Sequence, residues 1–134
     1  MKSSDIIAVG AMMKVFISHC HYAEALTLFD EAGDLNNAIT HTLAIKACKG
    51  CDDDTHRIRG NMIIQNVENR YSDDLLLKNT MIDFYGHFGD IFSALRVFES
   101  IANDLKTTSN INAMMTALTE NGDHDHALRD VEDF

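Results

Sequence analysis

Proline and tryptophan are both missing from the 134 residues, and glycine occurs only seven times. Proline removes a backbone donor and clashes with the preceding turn, so its absence leaves nothing to break long helices. Basic residues are also scarce. Eleven Lys and Arg stand against 21 Asp and Glu, for a formal charge of −10. This excludes a broadly basic nucleic-acid surface and leaves only local cationic patches for such a role. No apolar run approaches the roughly 18 residues that a membrane span needs. Three cysteines, Cys20, Cys48 and Cys51, are an odd number, which does not suit a disulfide framework and fits a reducing compartment.

Catalytic signatures are missing as well. The sequence has no phosphate-binding glycine loop, no G-x-S-x-G and no H-x-E. A lone Cys48-x-x-Cys51 with His56, or His19-Cys20-His21, falls short of the four tetrahedral ligands of a structural zinc site. The expectation is a chain that is not an enzyme and carries no cofactor and no metal. Met1-Lys2-Ser3-Ser4 runs directly into helical pattern, so a targeting segment is expected to be absent or removed.

Hydrophobic residues make up 46% of the chain, enough for a packed core. Their arrangement repeats. Displaced by 33 residues, the stretch from Asn79 falls on the stretch from Asn112 with eight identities: Asn79/Asn112, Met81/Met114, Gly89/Gly122, Asp90/Asp123, Ala94/Ala127, Leu95/Leu128, Arg96/Arg129 and Glu99/Glu132. Upstream, Ala11-Met12-Met13 matches Ala113-Met114-Met115, and Ala25-Leu26 matches the Ala-Leu pairs. A weaker, longer copy begins near Thr40. Four units are expected, at about 6–37, 38–74, 75–107 and 108–134, with spacings of 32, 37 and 33 residues. The last is expected to be truncated, because Phe134 falls inside its second helix.

Each unit reads as two helices. In the third, Met81, Ile82, Tyr85 and Phe88 recur at helical spacing, Gly89 stops the helix, and Asp90 caps a second that carries Ile91, Ala94, Leu95, Phe98 and Ile101. Gly122-Asp123 repeats the stop-and-cap signal, and Gly50 with Asp52-Asp53-Asp54 is expected to do the same in the second unit. One helix pair cannot bury its apolar face alone, but stacked pairs can, with Ala25, Ala94 and Ala127 permitting close approach. The fold class is therefore all-α, an α-α superhelix of about four helix-turn-helix repeats in a single domain.

The string from Asn79 to Ile101 resembles the pentatricopeptide repeat family, whose helix pairs read N-A-L-I-D-x-Y-x-K-x-G with A-x-x-V-F following. Ile45-Lys46-Ala47-Cys48 is similar to the end of a first helix in its long units, and the unit lengths resemble the alternation of the P-L-S subclass. The resemblance implies binding of single-stranded RNA at about one base per repeat, as part of a longer organellar RNA editing or processing factor in a mitochondrion or plastid. It implies base reading by Gly10, Thr42, Asn79 and Asn112 together with Asn37, Asp74 and Thr107. Thr42 with Asp74 resembles a guanine-leaning pair, and Asn79 and Asn112 resemble pyrimidine readers. Packing against base faces falls on Ile7, Ile39 and Leu76, and at the fourth such position on the polar Ser109. Lys14, Lys46 and Lys78 are candidates for phosphate contact. The alternative is a helical-repeat scaffold that binds another protein through the same surface, which the acidic charge favours. A neutral or basic inner face would favour RNA.

Overall fold

The computed structural model describes residues 5–121, and among these it contains seven α-helices and no strand. They are α1 (Asp5–Ser18), α2 (Tyr22–Ala32), α3 (Ala38–Cys51), α4 (Asp54–Val67), α5 (Leu75–His87), α6 (Ile91–Glu99) and α7 (Thr108–Glu120). Single 3₁₀ turns, Gly33–Leu35 and Asn103–Leu105, precede α3 and α7. The protein is an all-α helical repeat. The residues expected to form the second helix of the fourth unit, with Gly122-Asp123 and Ala127, lie outside the described residues.

Two compact units are distinguishable, the first ending at Leu77 and the second starting at Lys78. In the first, α1 packs on α2 and α3, α2 packs on α3, and α3 packs on α4. The central helix α3 is enclosed on most sides: Thr40 to Ile45, Ala47 and Cys48 are all buried. Ala25, Ala44 and Ala47 are fully buried and keep the helices close, while Met13, Leu26, Ile45 and Ile64 fill the space between them. In the second unit the core is Met81, Ile82, Phe84, Phe98, Met114 and Leu118, with Ala94, Ala113 and Ala117 as its small residues. Removing side chains of this size from water contributes about 1.5–3 kcal/mol each.

The stop signals divide as their chemistry demands. At Gly89, φ is +82°, a left-handed conformation that ends α5, and the Asp90 side chain then accepts from the Ser93 amide at 3.2 Å to start α6. The second unit of the sequence behaves differently from expectation. Gly50 stays inside α3, where its bare backbone lies against the Tyr22 ring. The break comes at Asp52, a non-glycine residue with φ 55°, and Asp53 caps α4 by accepting from the His56 amide at 2.7 Å. Short acidic side chains tolerate the left-handed region better than most, which lets the aspartate run supply both stop and start.

Candidate nucleic-acid interface

Helices α3, α5 and α7 each start on a capping side chain, and the three caps are Asn37, Asp74 and Thr107. The Asn37 Oδ1 accepts from the Thr40 amide at 3.0 Å, the Asp74 Oδ1 from the Leu77 amide at 3.0 Å, and the Thr107 Oγ1 from the Asn110 amide at 3.2 Å. A cap of this kind stabilises its helix by about 1 kcal/mol. It also fixes where the side chain stands relative to the first turn. Thr107 is in register with Asn37 despite the longer connection before it. In both cases the 3₁₀ turn ends two residues before the cap, and the extra residues after α6 fall ahead of that turn.

Two grooves open side by side at these helix starts in the first unit. One, of about 250 Å³, lies between α1 and the start of α3, with Ile7 and Ile39 at its sides and Gly10, Asn37 and Lys14 between them. The other, of about 200 Å³, lies between α3 and the start of α5, with Ile39 and Leu76 at its sides and Thr42, Asp74, Lys14 and Lys46 between them. Ile39 borders both. Ile7, Ile39 and Leu76 are 77%, 54% and 62% exposed, so each helix start presents an apolar side chain at the surface.

Apart from the donors Lys14 and Lys46, the polar groups of the second groove are one-sided. The Thr42 hydroxyl donates to the Ala38 carbonyl at 2.7 Å, so only its lone pairs remain to offer. The Asp74 carboxylate accepts only. The floor therefore demands donors from whatever occupies it. In the first groove Gly10 contributes no side chain and Asn37 is the polar group. Charge also differs from the chain as a whole: Lys14 is the one charged residue lining the first groove, and Lys14 and Lys46 stand against Asp74 in the second. Both grooves thus carry a small positive excess within a chain of net charge −10.

In the second unit, Asn79 is half-buried and Asn112 and Ser109 are exposed. Lys78 is half-buried and its Nζ donates to the Ser100 carbonyl at 3.4 Å, unlike the exposed Lys14 and Lys46. Sequence reasoning missed Asn110, which is buried and joins Thr107 to Asn79 through hydrogen bonds. Its signal was a polar residue at the third helical position of a first helix, where α5 has Leu77.

Among the described residues, no group of three or more His, Cys, Asp or Glu side chains is placed to hold a metal ion. Cys48 is fully buried in α3 and its thiol is pushed up to about 12 by that burial. His56 pairs instead with the Asp53 cap, Nδ1 to Oδ1 at 2.7 Å, and its backbone and side-chain hydrogen bonds hold the Asp53 carboxyl below its ordinary range. Burial both suppresses ionisation of the Cys48 thiol and shields it, so iodoacetamide should leave it unmodified in the folded protein. Peptide mapping should find Cys48 alkylated only after denaturant is added. Alkylation of Cys48 in the folded protein, as fast as at exposed Cys20, would contradict the packing of α3.

Residues 78–103, covering most of α5 and all of α6, match the family model described as PPR repeat. Over 133 residues the chain is 29% identical to a mitochondrial pentatricopeptide repeat-containing protein of Arabidopsis thaliana, a match that covers 96% of this chain and 20% of that protein. The chain thus spans about a fifth of the length of this relative. One stretch, 78–103, is thus similar to a pentatricopeptide repeat, and it lies within a helical repeat that is similar to one such protein along nearly its whole length.

Proposed function

We propose that this chain binds single-stranded RNA, seating successive bases in the grooves at the starts of α1, α3 and α5. The observation that carries the reading is the second groove. Exposed Ile39 and Leu76 can hold a base by its two faces, as apolar and aromatic side chains do in single-strand binding. The acceptor-only pair Thr42 and Asp74 then meets the base edge. Guanine offers two adjacent donors there, N1–H and the N2 amino group, whereas uracil and adenine each offer one. Thr42 and Asp74 accordingly read guanine. Lys14 and Lys46 stand at the groove for backbone phosphates. The family's RNA binding and the relative's mitochondrial label support a role in an organellar RNA editing or processing factor.

Fluorescence anisotropy with short RNAs tests this. A probe with guanine followed by two pyrimidines should bind more tightly than a purine-only scramble. With two lysine contacts, log K should fall with log salt at a slope of about −1.4, shallow because single strands release about 0.7 counterion per contact. Equal affinity for both probes with a steep salt dependence would reduce the reading to nonspecific attraction. The net charge of −10 favours a second reading, a scaffold for another protein. A folded sample that binds neither probe would point there.

A further inference from the structure

We infer that Asn110 is a positioning residue that sets which end of the Asn79 amide a base meets, and thereby sets the preference at that position to cytosine over uracil. The inference rests on the RNA-binding reading above and concerns the second unit alone. An asparagine amide can be turned either way, offering its carbonyl or its amino group, and its orientation follows from its neighbours. Here the neighbours decide it in a chain of three. The Thr107 main-chain N–H can only donate, and it donates to the Asn110 side chain at 3.1 Å, so the Asn110 branch facing it must be Oδ1. The Thr107 hydroxyl donates to the same oxygen at 2.9 Å. The other branch of Asn110 is then Nδ2, which reaches the Asn79 side chain at 3.4 Å and can only donate. The Asn79 branch that receives it must be Oδ1. The branch left for a ligand is the amino group.

Asn110 is only 1% exposed, so water cannot substitute for Thr107 or Asn79. A donor-only Asn79 favours a base with an acceptor at the facing ring nitrogen. Cytosine N3 is such an acceptor, whereas uracil carries N3–H at the matching place. Free to turn, the same amide would meet either pyrimidine. The other helix starts show what the chain does where no amide needs orienting. At the corresponding position α3 has Thr40, opposite Gly10, and α5 has Leu77. Thr40 also supplies the control: it closes the same reciprocal capping box with Asn37 through a hydroxyl.

Asn110→Thr should therefore keep the cap of α7 and lose the link to Asn79. The experiment compares two RNAs that differ only in carrying cytosine or uracil after the guanine. The unaltered chain should prefer cytosine by about fivefold, the size of one hydrogen bond. In Asn110→Thr the preference should shrink to less than about twofold, with helical circular dichroism and melting temperature unchanged. Asn79→Ala should weaken binding of both RNAs. An undiminished cytosine preference in Asn110→Thr, or a uracil preference in the unaltered chain, would overturn the assignment while leaving RNA binding intact. Unchanged affinity in Asn79→Ala would show instead that no base is contacted there, and the assignment would fall with that contact.

Discussion

Gly86→Ala should destabilise the second unit by about 2 kcal/mol, and Gly86→Val by more, against the usual sense of such a change in a helix. Alanine in place of glycine within a helix ordinarily stabilises by roughly 1 kcal/mol. At Gly86 that gain is outweighed by what the new methyl meets. A Cβ there would lie 3.0 Å from the Ala117 Cα and press on the Ala117 Cβ. Neither atom can turn aside, so α5 and α7 must separate. That separation also strains the Asn121 side chain, whose Nδ2 donates to the Gly86 carbonyl at 3.1 Å. Gly50 provides the contrast. Its Cβ would meet the ring of half-buried Tyr22, a side chain that can rotate away, so Gly50→Ala should cost less than Gly86→Ala. Urea unfolding of the two variants beside the unaltered chain measures both. A Gly86→Ala protein at least as stable as the original would mean that α5 and α7 are not in contact through this glycine.

How much of this was legible beforehand varied with the element. Of the stripe Met81, Ile82, Tyr85 and Phe88 the first three are buried, and of Ile91, Ala94, Leu95, Phe98 and Ile101 the buried ones are Ala94, Phe98 and Ile101, whereas Phe88, Ile91 and Leu95 are only half-buried. Phe84 and Val97, also buried, were absent from those stripes: a helix packed by more than one neighbour buries residues off its main face. The same cause weakened the periodicity of α3, which is buried nearly all round. Gly50 was misread for a related reason. A glycine near an expected helix end can stop the helix or admit a neighbouring ring, and the Tyr22 ring comes from a helix that the local pattern does not contain.

The helix-start positions were legible only by analogy. Spacing placed Asn37, Asp74 and Thr107 at the ends of units, and the structure shows them as N-caps. The grooves beside them need the first helices of two successive units and could not be read from one. Asn110 was beyond reach for the same reason, since its partner Asn79 lies on the neighbouring first helix. What local sequence offers is the residue type. What it acts on is set by the stacking.

The double role of Asp74 allows its cap to be separated from its proposed contact. Asp74→Asn should leave stability within about 0.5 kcal/mol, because asparagine caps a helix about as well as aspartate. It should nevertheless reduce affinity for the guanine-bearing RNA by on the order of tenfold to a hundredfold. A hydrogen bond to a charged acceptor is worth about 1.5–3 kcal/mol, and the asparagine amide exchanges one of two acceptor oxygens for a donor that opposes the guanine N–H groups. Affinity for an RNA with adenine at that position should fall far less, so selectivity as well as affinity is lost. Asp74→Ala should lose both the cap and the contact, with about 1 kcal/mol of stability gone as well. The pair of variants makes the two roles independent. If Asp74→Asn bound the guanine RNA unchanged, the carboxylate would be a cap alone, and the exposed Ile39 and Leu76 would have to hold bases without regard to their edges.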